Sequence, residues 1–172
     1  LAIVMQDPFL YSRSIRDNIA LARRDSTDDE LQIASRVACI HESILEFDLG
    51  YDTLVGERGV TLSGGQRQRV AIARALLQQP DILVLDDALS AVDTRTERLI
   101  LEALRDRRGS QTTIVIAHRL STLMQADQII VLEHGRIVQR GTHAALVKED
   151  GMYRRLWDIQ TTIESTDGQG AA

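Results

Sequence analysis

Pro80 divides this 172-residue chain into two textures. Beyond it, short apolar runs alternate with helical patterns, and the first run, Ile82-Leu83-Val84-Leu85, holds no polar residue. A run of that kind between turn signals reads as a strand buried on both faces of a parallel sheet. Parallel strands need crossover segments, usually helices, so this half is α/β. The first helix is predicted over Thr94 to Arg107, burying Ile100, Ala103 and Leu104. Thr112 to Ala117 is a second buried strand, and Ile129 to Leu132 with Arg136 to Gln139 flank the turn Glu133-His134-Gly135. Helices over Thr142 to Lys148 and Met152 to Ile163 complete the order, and the polar stretch 164–172 reads as a disordered tail.

Upstream of Pro80 the pattern is mainly helical. Leu1 to Met5 reads as a buried strand broken by Gln6-Asp7-Pro8. Helices are predicted over Ser14 to Ala22, Thr27 to Cys39 and His41 to Phe47, the second opening on acidic residues that suit a helix N-terminus. A glycine-punctuated loop covers Gly50 to Gly65, and a helix from Gln66 to Gln79 ends at Pro80. The chain thus divides into a core strand with its following loop (1–11), a helical segment (12–79), the second half of an α/β core (80–163) and a tail (164–172).

Composition removes several classes of function. At 44% hydrophobic and 26% charged, the chain is ordinary for one globular domain. A net charge of -5 gives no electrostatic footprint for nucleic acid or an anionic membrane. The longest purely apolar run is Leu1 to Met5, against the roughly 20 residues of a spanning helix. Cys39 is the single cysteine and can build neither an internal disulfide nor a cysteine-based metal site. His41, His134 and His143 fit no metal-ligand spacing. The chain opens on Leu1 inside a strand-like run, which reads as the interior of a longer polypeptide. All but one of its 20 basic residues are arginine, and Lys148 lies in Ala-Leu-Val-Lys-Glu-Asp. A G-x-x-x-x-G-K-[ST] phosphate loop, whose lysine reaches the β/γ-phosphates, is therefore absent.

Three segments carry chemistry. In Leu62-Ser63-Gly64-Gly65-Gln66 two residues without Cβ open a helix whose first amides and dipole favour an anion, and the Ser63 hydroxyl adds a donor. The same pattern also reads as a flexible turn with a helix cap. Asp86-Asp87 ends the buried strand, at the edge where α/β sheets bind ligands. One carboxylate there suits Mg²⁺ and its neighbour suits orienting or deprotonating water, although an Asp-Asp turn capping the next helix fits equally. His118 ends the strand that follows, 32 residues after Asp86, placed to donate to a γ-phosphate or to serve as a structural histidine.

Together these segments resemble the nucleotide-binding domain of an ABC transporter over almost the whole chain. Gln6 resembles the Q-loop glutamine, Leu62 to Gln66 the signature motif, and Ile82 to Asp86 the Walker B strand. Ser90-Ala91-Val92-Asp93 is similar to the D-loop and His118 to the switch histidine. The stretch after Gln6, beginning Phe9-Leu-Tyr-Ser, and Val55-Gly56-Glu57-Arg58-Gly59, which resembles the x-loop that contacts transmembrane domains, are exporter-like. The resemblance implies an incomplete RecA-like core with an inserted helical subdomain, ATP and Mg²⁺ as ligands, and head-to-tail dimerisation. It implies a second ABC subunit and transmembrane domains fused upstream, with the domain on the cytoplasmic face of the membrane. Asp86 and Gln6 would then serve Mg²⁺, and Asp87, His118 and Gln6 the hydrolysis. Ser63, Gly64, Gly65, Gln66 and Asp93 would bind nucleotide, the signature residues facing the ATP of the partner subunit.

The chain departs from the family pattern in two places. Walker A and the aromatic A-loop are missing, so these 172 residues alone are expected to be inactive. The residue after the Walker B aspartate is usually glutamate and here is Asp87. One methylene shorter, its carboxylate sits farther from the attacking water, and misplacement by ~1 Å can cost ~10²-fold in rate. That substitution resembles the degenerate-site subunit of a heterodimeric exporter. Two rival readings are a regulatory subunit that binds ATP and barely hydrolyses it, and a soluble ABC-type DNA-repair ATPase.

Overall fold

The computed structural model describes residues 1–56, 59–107 and 109–167, with side chains described through 162. Two compact units emerge, the first from Leu1 to Ala117 and the second from His118 onward. The division falls inside the predicted 80–163 segment, and residues 12–79 share their unit with all three parallel strands.

In the first unit, β1 (Ala2–Val4), β2 (Ile82–Asp86) and β3 (Thr112–Ile116) form a parallel sheet in the order β1-β2-β3. Val4 lies opposite Leu85, and Leu85 opposite Val115. Four helices precede β2, namely α1 (Ile15–Ala20), α2 (Asp28–Val37), α3 (His41–Leu45) and α4 (Gly64–Leu77). A single 3₁₀ turn, Gly50–Asp52, lies within the predicted loop. The helix α5 (Thr94–Arg105) connects β2 to β3.

These helices begin where their side chains satisfy the free amides of the first turn. Thr27 and Glu30 form a reciprocal capping box on α2, while Ser14 caps α1 and Asp93 caps α5. The alanine-rich α4 packs against α1, α2 and β1, burying Val70, Ile72, Ala73, Leu76 and Leu77. It stops at Gln79, which takes a left-handed φ of 50° ahead of Pro80.

Among the described residues the sheet is covered on one face only. Ala2, Val4, Leu83 and Leu85 are buried in the core, whereas Ile3, Ile82, Ile114 and Ile116 on the other face are 40–55% exposed. The reading of Ile82 to Leu85 as buried on both faces is corrected here: a wholly apolar run does not reveal whether a second layer is present. Ile100 and Leu104 are buried as predicted, but Ala103 is only half-buried.

The second unit contains α6 (Leu120–Leu123), too short to show a period in sequence, followed by β4 (Ile129–Glu133) and β5 (Arg136–Gly141). The two strands pair as an antiparallel hairpin with a register shift at Val131/Leu132, and do not join the parallel sheet. Both turn residues, His134 (φ 48°) and Gly135 (φ 76°), are left-handed, as a two-residue hairpin turn requires. Then come α7 (His143–Leu146) and α8 (Met152–Asp167), with Leu120, Ile129, Leu146 and Tyr153 as the core. The helix α8 runs four residues past its predicted end, into the stretch read as a disordered tail. Residues 168–172 lie outside the described residues.

Candidate functional site

Because β1 and β2 are parallel and in register, Gln6 and the Asp86-Asp87 pair leave the sheet at the same C-terminal edge. Asp86 alternates onto the face that carries Val84, and is half-buried opposite Ile116. Asp87 has a left-handed backbone, with φ 49°. Its amide donates to the Ile116 carbonyl at 2.9 Å, and its own carbonyl accepts from the Ser90 amide at 3.2 Å. Aspartate tolerates this region better than most residues. The turn delivers the chain to Asp93, whose carboxylate accepts from the Thr96 amide at 3.0 Å. That backbone bond holds the Asp93 carboxyl below the ordinary carboxylate range.

The N-terminus of α4 is the second component. The Gln66 amide donates to the Ser63 hydroxyl at 3.2 Å, and the Ser63 amide donates to the Gln66 side-chain oxygen at 2.9 Å. The box satisfies two of the four free amides and leaves Gly64 and Gly65 with no intrahelical acceptor. Those two amides and the dipole make an anion cradle. The glycines have a further reason to be glycine. A Cβ on Gly65 would stand 2.7 Å from the Ala91 carbonyl oxygen, and one on Gly64 would stand 3.3 Å from the Ala91 Cβ. The turn 90–93 therefore packs directly on the start of α4.

Gln6, Ser63, Gly64, Gly65, Gln66, Asp86, Asp87 and Asp93 all belong to the first unit. His118 opens the second, exposed, with its carbonyl accepting from Gln160 Nε2 at 2.9 Å. Of the stretch read as an x-loop, Glu57 and Arg58 lie outside the described residues. Gly56 has φ 111°, and a Cβ on Gly59 would stand 2.1 Å from the Leu54 carbonyl oxygen.

Two residues of α4 escaped the sequence reading. Gln68 is buried and bonds to Gln6, Ser90 and Ala91. Arg74 donates to the carbonyls of Asn18 (2.7 Å) and Phe9 (3.1 Å), strapping the segment after Gln6 to the helix. Burial pushes its guanidinium down from the ordinary range. Only the spacing Ser63-x-x-Gln66, a capping signature, was available to mark this helix start.

Residues 1–90 match the ABC transporter family. The chain is 52% identical to the multidrug resistance-like ATP-binding protein MdlA of Escherichia coli K12 over 167 residues, covering 97% of this chain and 28% of MdlA. It is 48% identical to human ATP-binding cassette sub-family B member 6 over 166 residues, covering 96% of this chain and 20% of that protein. A bacterial Atm1-family ABC exporter with ATP bound superimposes with a TM-score of 0.87 at 46% identity, over 92% of this chain and 28% of the exporter. The chain thus spans between a fifth and somewhat over a quarter of these relatives. With the parallel sheet, its acidic edge and the capped Ser-Gly-Gly helix in the same order, the chain belongs to the ABC transporter family.

Proposed function

We propose that this chain is the signature and Walker B portion of an ATP-hydrolysing ABC exporter, and that the parent protein couples ATP binding and hydrolysis to export across a membrane. The observation that carries the reading is the shared edge of Gln6, Asp86 and Asp87 together with the uncommitted amides of Gly64 and Gly65. An acidic edge supports a site for hydrolysis, and an amide cradle supports the grip on a phosphate. The exporters named above favour this over a DNA-repair ATPase. No helix among the described residues is long and apolar enough to cross a membrane. The similarity to the exporters named above supports transmembrane domains fused upstream, with this portion on the cytoplasmic face.

Asp86 and Gln6 present hard oxygen donors at one edge and fit Mg²⁺, which takes one or two carboxylates plus phosphate and water. No group of three or more His, Cys, Asp or Glu among the described residues offers an all-protein metal cage. Bound there with ATP, Mg²⁺ supplies charge neutralisation on the phosphate oxygens. Asp87 orients the attacking water from its left-handed turn, and resemblance to the family's switch histidine is what supports a γ-phosphate contact for His118. Ser63, Gly64 and Gly65 grip the γ-phosphate of ATP held by a second ABC subunit, with Gln66 and Asp93 flanking the contact. The short Asp87 carboxylate favours a heterodimer in which this subunit's own site turns over slowly while its signature completes the partner's.

Single-turnover hydrolysis measured separately at the two sites of the full-length complex tests this. Slow turnover at the site holding Asp87 and fast turnover at the other are expected. Equal turnover at both overturns the heterodimer reading, and none at either overturns the ATPase reading.

A further inference from the structure

The side chain of Gln68 is almost wholly buried, 3% exposed, and its amide makes three hydrogen bonds to two functional segments, the one at Gln6 and the one at Ser90-Ala91. Nε2 donates to the Gln6 main-chain carbonyl at 3.0 Å and to the Ser90 hydroxyl at 3.2 Å, and Oε1 accepts from the Ala91 amide at 3.0 Å. The orientation of the amide is settled by its partners, because a carbonyl needs a donor and an amide N–H needs an acceptor. Gln68 sits one turn beyond Gly64 and Gly65 on α4, and Gly65 itself lies against the Ala91 carbonyl. The Gln6 side chain, by contrast, is exposed. The backbone beneath it is tethered and its amide is left for solvent or ligand.

We infer that Gln68 is a positioning residue that fastens the Q-loop backbone and the D-loop backbone to the signature helix. This rests on the ATPase reading above. Gln6 serves the chain's own nucleotide, whereas Ser63 to Gly65 serve the partner's. Through Gln68 the half-site that a subunit keeps and the half-site that it lends shift as one body. A buried glutamine with all three bonds made is stiff, since losing any one strands a buried polar group. Displacement of Gln6 by ligand is thereby passed to the turn holding Ala91 and to the helix start packed on it.

The test uses the full-length protein. Gln68→Met keeps the volume and removes all three bonds. Its kcat for ATP is expected to fall about tenfold or more, because a small misplacement of reacting groups is enough. KM for MgATP is expected to stay within about threefold, the signature of an effect on the transition state rather than on binding. Amide exchange at Ala91 is expected to quicken about tenfold or more. Gln68→Glu, assayed in mildly alkaline buffer, keeps the acceptor for Ala91 and loses the donor to Gln6. It is expected to show wild-type exchange at Ala91 and a lowered kcat. Wild-type kcat in both variants, or a loss confined to KM, overturns the positioning role. If the wild-type protein hydrolyses no ATP, the ATPase reading fails by itself. Unchanged exchange at Ala91 in Gln68→Met then overturns the tether independently.

Discussion

The amide of Asp87 donates to the carbonyl of Ile116 across 2.9 Å, and this bond pins Asp87 in the left-handed region at φ 49°. The position that usually carries the longer carboxylate is thus held by a bond from the neighbouring strand. Aspartate suits this backbone better than glutamate does, because its short polar side chain tolerates the left-handed region. Asp87→Glu is therefore expected to cost on the order of 1 kcal/mol in stability while moving the carboxylate toward the water. Hydrolysis at this site should rise by up to ~10²-fold. ATPase assays on the full-length complex, paired with thermal denaturation, check both halves, and no rise in turnover would refute the degenerate-site assignment.

Gly65 and Gly64 should differ in their tolerance of a methyl group. Gly65→Ala drives a Cβ to 2.7 Å from a main-chain oxygen that cannot rotate away, whereas Gly64→Ala meets the Ala91 methyl at 3.3 Å. The first should lose about 1–3 kcal/mol, the range of overpacked sites, and the second less. Denaturant titration of the two variants gives the order, and a reversed order would contradict the packing described.

The cap of α5 should make stability depend on pH. The Asp93 carboxyl is held below its ordinary value, first by the bond from the Thr96 amide. Its contribution is therefore fully present above the ordinary carboxylate range and is lost as pH falls through the lowered folded value. Asp93→Asn keeps a capping oxygen without the charge. It should flatten that part of the stability–pH curve, as chemical denaturation at a series of acidic pH values would show.

A buried pair should matter to the helical segment. His41 Nδ1 lies 2.8 Å from the Tyr51 hydroxyl, and both side chains are buried. Tyr51→Phe leaves the histidine nitrogen without this partner, at a cost of about 1–3 kcal/mol. Burial also raises the Tyr51 hydroxyl above its ordinary range. Equilibrium unfolding of the variant checks the cost, and wild-type stability would show the bond to be dispensable.

Local signals made much of the fold legible. The acidic run after Thr27 marked the start of α2, and α4 opens at Gly64, two residues before the expected Gln66; apolar runs marked four strands and the turn Glu133-His134-Gly135 the fifth. The open face of the sheet was not legible, because Ile82 and Leu83 have the same hydrophobicity and differ only in what lies across from them. Gln68 was invisible for a different reason. Its bonds reach 62 residues back to Gln6 and 22 forward to Ser90, and no period or short motif encodes such distances. Asp87 was legible as an acid after an apolar run, but its left-handed backbone depends on Ile116 in another strand.

The approach of Gly65 to Ala91 bears on how such chains are judged from their letters. A subunit that had abandoned nucleotide at this motif would still need a residue without a Cβ there, or its D-loop would lift off the helix. Glycine at this position is a record of packing as much as of phosphate. Its survival in a decayed relative is no certificate of a working site, and Ser63, which caps the same helix, is held there for a structural reason too.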